Sequence, residues 1–111
     1  MLFQKKMMNE SDWKIFTKIK DKALEKYCSN CFAEFRDIID DANKETHEKY
    51  LLHYKTVIKR DKEMGSLFDG HSRSKAWLQL LAIRGAGLAD EKLISQLTDE
   101  FCKSTDPDKF K

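Results

Sequence analysis

Between Asp40 and Lys49 the sequence reads DDANKETHEK, and this stretch decides the fold. The apolar signal nearly vanishes within it, whereas apolar residues recur at helical spacing on both sides. Two interpretations stay open: either the chain turns near Asn43 and forms a helical hairpin, or one helix continues through a solvated middle. No Gly or Pro forces a break. The hairpin is favoured, because an unbroken helix of about 55 residues would span roughly 80 Å and leave much of its apolar stripe without a partner.

Upstream of this stretch, the sequence predicts one long amphipathic helix. Its apolar positions recur in steps of three and four, which keeps them on one side of a helix. Four lysines step by four residues along another side. Ser11 or Asp12 is the expected N-cap, because either side chain accepts a hydrogen bond from a free backbone N–H group. The apolar positions are Phe16, Ile19, Ala23, Tyr27, Cys31, Phe35, Ile38 and Ala42, and the lysines are Lys14, Lys18, Lys22 and Lys26.

Downstream, the apolar positions resume at Tyr50 and continue to Phe68, which predicts a second helix. The next segment, SKAWLQLLAIR, is apolar on most sides, as is typical of a buried helix. Gly85-Ala86-Gly87 ends it, because Gly accepts the left-handed backbone that closes helices. Asp90 then caps a last amphipathic helix, DEKLISQLTDEFCK.

The predicted fold is therefore all-α, a helical bundle of about four helices. The first two helices form a long antiparallel pair, and the two shorter C-terminal helices pack across it. The helices lie near 11–42, 45–67, 73–84 and 90–103, and the expected central residues are Trp77, Leu78, Leu80, Leu81 and Ile83. The expected organisation is a flexible N-terminal tail (1–10), a single helical domain (11–104) and a frayed C-terminal tail (105–111).

Composition limits the classes of function. The chain has 111 residues, which suits one domain, and it is 36% charged with one Pro and four Gly, which favours solvated helices over a turn-rich β-protein. A net charge of +2 is too balanced to imply a nucleic-acid or membrane partner by itself. No run of about 20 apolar residues and no signal-peptide core occurs. Three cysteines form an odd set, so a reducing cytoplasm is the expected location.

Cys28 and Cys31 stand in C-x-x-C spacing, which suggests a metal clip, a redox pair or core packing. Zinc needs about four ligands, and no other cysteine or histidine lies in a paired ligand spacing. The pair also lies deep inside a helix, far from the positive end that lowers a thiol pKa. Packing is therefore the favoured interpretation, a thiol or metal sensor is an alternative, and neither a cofactor nor a metal is expected.

Three other catalytic motifs are absent or incomplete in the sequence. HEKYLLH has Leu51 where the zinc-peptidase motif needs its second His. No Glu is followed three residues later by His, as a di-iron bundle would need. No G-x-S-x-G nucleophile turn occurs. The chain therefore contains no catalytic constellation, and an enzyme is not expected.

Two polar stretches suggest binding instead. Lys55, Lys59 and Lys62 share one side of a helix beside Arg60, so an alternative function is a nucleic-acid-associated regulator. A second candidate is the loop HSRSK, in which His71, Ser72, Arg73 and Ser74 precede a helix and could hold an anion at its N-terminus. Helix capping explains the two serines more simply.

The width of the apolar face on the first predicted helix also bears on function. Ile15, Phe32 and Ile39 lie off the main stripe of the first helix and widen its apolar face. A widened face can cover a later helix of this chain or a partner protein. The expected function is a non-enzymatic protein–protein interaction or regulatory module that self-associates. Its expected partner is itself or another protein; nucleic acid is not favoured, and no membrane partner is expected.

Overall fold

The structure is a computed structural model that describes residues 8–110. Five α-helices and a terminal 3-10 helix follow one another without a strand in this part of the chain, so the predicted all-α class is confirmed. The elements are α1 (Glu10–Ile39), α2 (Thr46–Phe68), α3 (Arg73–Gly85), α4 (Glu91–Ile94), α5 (Asp99–Ser104) and the 3-10 helix (Pro107–Phe110).

The polar stretch after α1 is a turn, so α1 and α2 form a hairpin. Asp41 Oδ1 accepts a hydrogen bond from the Asn43 N–H at 2.9 Å, a local bond that suits a tight turn. Glu45 and Glu48 then form a capping box at the start of α2. Lys49 Nζ donates to the carbonyl of the last residue of α1 at 2.5 Å. The residues that weakened the helical signal are therefore those that stop one helix and start the next.

The start of α1 differs from the prediction. Asn9 is the N-cap, and its Oδ1 accepts a hydrogen bond from the Asp12 N–H at 2.7 Å. Asp12 is buried instead, and its two carboxylate oxygens accept hydrogen bonds from the Thr98 N–H (2.9 Å) and hydroxyl (2.7 Å). Residues 1–7 of the predicted N-terminal tail lie outside the described residues, and Met8 packs against the core.

The core lies at one end of the hairpin, where α3, α4 and the following segments cover it. On α1 the buried positions follow the predicted period, but they end at Cys31. On α2 only Phe68 is buried. The buried side chains of α1 are Asp12 and the apolar set Phe16, Ile19, Ala23, Tyr27 and Cys31. The apolar set packs with Phe68, Ala76, Leu80, Ile83, Leu88, Ile94 and Leu97.

α3 is amphipathic and not buried on all sides. Leu80 and Ile83 are fully buried as predicted, and Trp77 and Leu81 are partly buried. Leu78 was expected at the centre but is 65% exposed, so that prediction is wrong. One side of α3 contacts the core and the other side faces solvent. The sequence does not reveal this difference, because apolar residues occur on both sides of the helix.

The predicted helix 90–103 is broken into α4 and α5. Asp90 caps α4 as predicted, with Oδ1 accepting from the N–H groups of Lys92 and Leu93. Thr98 caps α5 and also donates to Asp12, and an uninterrupted helix would have used the Thr98 N–H internally. Ile94 of α4 is buried, and Phe101 and Cys102 of α5 are partly buried against the same core, so the two segments together have the periodicity of one helix.

A substitution at Asp12 tests how much its hydrogen bonds to Thr98 contribute to the stability of the fold. Asp12→Ala removes the acceptor for both Thr98 donors, so the free energy of unfolding should fall by about 1–3 kcal/mol. Urea denaturation measures this change, and Asp21→Ala, at an exposed position on the same helix, is the matched control. Equal stability of the two variants would contradict a structural role for the Asp12–Thr98 bonds.

Candidate interaction surface

The most unusual feature of the molecule is the apolar surface on the free end of the hairpin. No residue from Phe32 to Leu67 is buried. This stretch nevertheless carries eight of the nine exposed large hydrophobic side chains, including Phe32 at 60% and Tyr50 at 67% exposure. Seven of them form what is called here the hairpin face: Phe32, Ile39, Tyr50, Leu51, Tyr54, Val57 and Ile58.

Helical geometry places these seven side chains on one side of the hairpin. Tyr27 and Phe35 of α1 contact α2, and Arg60 and His53 of α2 contact α1, which defines the direction from each helix to the other. Viewed from the helix N-terminus, the hairpin-face positions lie clockwise from that direction in both helices, centred near roughly 100° and ranging from about 50° at Val57 to about 170° at Leu51. Because the helices are antiparallel, the same rotation in each brings both stripes to the same side. Leu52, the eighth exposed residue, lies on the opposite side.

The C-terminal segments cover the other side of α1. Lys22 Nζ donates to Asp90 Oδ2 at 2.9 Å, and Lys26 Nζ donates to the Gly87 carbonyl at 3.0 Å. Asp12 and Lys26 lie on the side of α1 that is turned away from the hairpin face, and Lys22 lies on the side opposite α2. The fold therefore leaves the hairpin face uncovered by any described segment of the chain.

A polar cluster joins α1 to α2 where the core ends. Arg60 donates from Nε and Nη2 to the two carboxylate oxygens of Glu34 at 2.7 and 2.9 Å, a bidentate ion pair. It also donates to Glu63 at 2.8 Å. The Tyr27 hydroxyl donates to the Arg60 carbonyl at 2.8 Å and lies 3.0 Å from Glu63. These bonds fix the register of the hairpin and hence the alignment of the two stripes.

The charges of this cluster shift its pKa values. Hydrogen bonding from Arg60 lowers the pKa of the Glu34 carboxyl below its ordinary value, and it lowers that of Glu63 in the same way. Burial, followed by the hydrogen bond to Glu63, raises the pKa of the Tyr27 phenol. Both carboxylates are therefore ionised, and the phenol is neutral, at neutral pH.

Glu34→Gln tests this cluster through pH. The pKa of the Glu34 carboxyl is lower in the folded chain than in the unfolded chain, so the unfolded chain binds more protons. The ion pair therefore stabilises the fold above the ordinary carboxyl pKa, and this stabilisation is lost as the pH falls through the pKa of the folded state. At neutral pH the variant should lose about 0.5–1 kcal/mol, a small value because solvent screens the pair. The loss should disappear in acid. Urea denaturation across pH measures it, with Glu25→Gln as the control outside the cluster; a pH-independent loss would contradict the ion pair.

The predicted basic stretch is divided by the hairpin. Lys55, Lys59 and Lys62 are exposed on α2, whereas Arg60 points toward α1 and is held by Glu34 and Glu63. The four side chains do not form one patch. Three lysines along the outer side of α2 remain available to an acidic partner.

The two C-x-x-C cysteines lie on α1 with different exposure. Cys31 is buried and Cys28 is half-buried, and both are free thiols, as is Cys102. Burial, followed by the nearby Cys28, raises the pKa of the Cys31 thiol, so the thiol form dominates at neutral pH. Among residues 8–110, no group of three or more His, Cys, Asp and Glu side chains is placed to hold a metal ion.

Thiol labelling distinguishes packing from reactivity. Cys31 should react with an alkylating reagent on the order of tenfold more slowly than Cys28 in the native protein, because burial restricts access and disfavours the thiolate. Mass spectrometry of the labelled peptides measures each site separately. In denaturant the rates should converge, and equally fast native labelling would indicate an accessible reactive pair.

His71 of the candidate anion loop packs against α1. Its ring centroid lies 4.5 Å from that of Trp13 and 6.0 Å from that of Phe16. Its Nδ1 is 3.2 Å from Lys20 Nζ, and its Nε2 is 3.4 Å from Thr17 Oγ1. The imidazole therefore helps to join the α2–α3 loop to α1.

The remaining loop residues divide between a tertiary contact and the start of α3. Arg73 lies over the Trp13 ring at 5.3 Å and donates to the Glu10 carboxylate. Ser72 precedes α3, and its hydroxyl lies 3.2 Å from that of Ser74 without a side-chain capping bond. The structure thus brings the two hydroxyls together but directs His71 and Arg73 toward α1.

Sequence reasoning identified only part of the hairpin face. Phe32 and Ile39 stood out because they lie off the main stripe of α1. Tyr50, Tyr54 and Ile58 were missed, because they follow the period expected of a buried stripe on α2. The sequence does contain a signal for this surface: the apolar stripes of both helices are widened on one side, and the turn between them contains almost no apolar residue that could cover the extra width.

The chain matches no family model, no curated protein and no solved structure. Within residues 8–110, no helix combines the length and the apolar content needed to cross a membrane.

Proposed function

We propose that this protein is a non-enzymatic interaction or regulatory module that self-associates through its hairpin face. The observation that carries the proposal is the set of seven large apolar side chains exposed on one side of two antiparallel helices. Exposed apolar surface of this extent is typical of a protein–protein contact. Aromatic residues, which are enriched in binding hot spots, supply three of the seven positions: Phe32, Tyr50 and Tyr54.

Several reactive side chains already have structural contacts, which supports a non-enzymatic function. The His71 ring packs on Trp13 and Phe16, and the His53 ring packs edge-on against Phe35 at 4.9 Å. The Tyr27 hydroxyl is bonded within the polar cluster. A cytoplasmic location belongs to the same proposal, because three free cysteines suit a reducing compartment.

Binding to nucleic acid is the less favoured alternative. Lys55, Lys59 and Lys62 are exposed, but Arg60 is engaged by two carboxylates, which reduces the positive charge that the stretch can present. The exposed aromatic side chains of the hairpin face suit an interface with a protein. Contacts between lysines and the phosphates of a nucleic acid would give these aromatic side chains no role.

Sedimentation velocity tests self-association. The wild-type protein should sediment as an oligomer. Phe32→Glu or Tyr54→Glu should each weaken association by at least about 2 kcal/mol and shift the equilibrium from oligomer toward monomer. Both positions are more than half exposed in the single chain, so folding should be retained, as circular dichroism will show.

Leu78→Glu is the matched control, because Leu78 is equally apolar and exposed but lies on α3. It should leave the sedimentation of the protein unchanged. A wild-type protein that remains a clean monomer at high concentration would remove self-association from the proposal.

A further inference from the structure

One exposed apolar position lies far from the hairpin face. Leu78 of α3 is 65% exposed, and it is the one large exposed hydrophobic side chain of residues 8–110 that lies outside the hairpin. Ala82, one turn further along α3, is exposed as well, and Leu81 is half-buried. Leu78, Leu81 and Ala82 are called here the α3 strip. They lie on the side of α3 that is turned away from the fully buried Leu80 and Ile83.

The described chain begins beside the first turn of α3. Arg73, the first residue of that helix, donates from Nη1 to the Met8 carbonyl at 3.4 Å and from Nη2 to the Glu10 carboxylate. Its guanidinium also lies 5.3 Å from the centroid of the Trp13 ring. Met8 itself packs against the core. The residues before Met8 are therefore joined to the fold next to Arg73, about 8 Å along the helix axis from Leu78.

Helical spacing connects this point to the α3 strip. Arg73, Trp77 and Leu81 follow one another in steps of four residues, so their side chains lie along a single side of α3. Leu78 is the neighbour of Leu81 at i−3 on the helix surface. At the C-terminal end of α3, Pro107 of the 3-10 helix packs close to the helix. The described segments thus flank the strip at both ends and leave Leu78 exposed.

The seven residues before Met8 have the composition and the length to cover the strip. Seven residues reach at most about 25 Å when extended, and the 13 residues of α3 span about 20 Å. The hairpin face is out of their reach, because its residues closest to Glu10 lie about 30 Å from it along α1. Of the two exposed apolar surfaces, the α3 strip alone is accessible to this segment. Four of its seven residues are apolar: Met1, Leu2, Phe3 and Met7.

We propose that residues 1–7 cover the outer side of α3, with Leu2 and Phe3 packed on the α3 strip. Arg73 already holds Met8 nearby, so closing this short loop costs little chain entropy. Burial of Leu78 against two apolar side chains removes apolar surface from water, which favours the contact. The inference does not depend on self-association, because it assigns the α3 strip to the N-terminus of the same chain and leaves the hairpin face for a partner.

Disulfide trapping tests this contact. Phe3→Cys is combined with Leu78→Cys in full-length protein that also carries Cys28→Ser, Cys31→Val and Cys102→Ser. The control pair is Phe3→Cys with Lys14→Cys, because Lys14 is exposed within similar reach of Met8 but lies on α1. With oxidised glutathione, the 3–78 disulfide should form at least about tenfold faster than the 3–14 disulfide, since packing raises the local concentration beyond that of a free tether. Mass spectrometry measures both bonds, and circular dichroism verifies the fold.

Trypsin cleavage is an independent test that needs no added cysteine. Lys5 and Lys6 lie in the segment, so packing of the segment should slow cleavage after them. Leu78→Glu should release the segment and raise the rate of cleavage there roughly three- to tenfold. Leu52→Glu is the matched control, because Leu52 is exposed on the hairpin beyond the reach of the segment, and its cleavage rate should equal that of the wild type.

The outcomes separate this contact from its alternatives. Preferential formation of an internal 3–78 disulfide, together with faster cleavage of the Leu78→Glu variant, supports the proposal. Equal rates for the two disulfides, a 3–78 disulfide between two chains, or cleavage of the Leu78→Glu variant at the wild-type rate would each overturn it. A monomeric wild-type protein would remove self-association from the proposed function and leave this contact unaffected.

Discussion

The length of α1 relative to the core is the constraint on which the rest of the structure depends. Its 30 residues extend about 45 Å, whereas the 13 residues of α3 extend about 20 Å. The C-terminal segments therefore cover only one end of α1, and burial on that helix ends at Cys31. Beyond this point, within residues 8–110, each helix of the hairpin packs against the other alone. One apolar stripe per helix can then be covered within the chain, and the second stripe stays exposed.

The polar cluster compensates for the missing core at this point. Two isolated helices bury too little apolar surface to hold a unique register. Arg60 has three charge-assisted hydrogen bonds to Glu34 and Glu63, and the Tyr27 hydroxyl binds the Arg60 carbonyl. Such directional bonds specify alignment even where their net contribution to stability is small. They keep the two stripes of the hairpin face aligned.

Periodicity predicted which residues share a side of a helix, but it did not predict what covers that side. It identified α1 and α2 and the turn between them, because these depend on local spacing and on polar turn residues. It failed for Leu78 and for Tyr50 and Tyr54, whose exposure depends on where distant helices end. It also failed for Asp12, an apparent cap that binds Thr98, and for the break between α4 and α5 that this contact requires. Tertiary partners decided each of these cases.

The bond between Asp12 and Thr98 also affects the order of folding. It joins residues 86 positions apart, so the first turn of α1 is secured only after a long loop has closed, which is a slow step. Contacts between α1 and α2 are closer in the chain and can form first. During synthesis the hairpin can therefore assemble before the core around Phe16 is complete. Neighbouring nascent chains on one messenger RNA would then present this apolar surface to one another before either chain had finished folding.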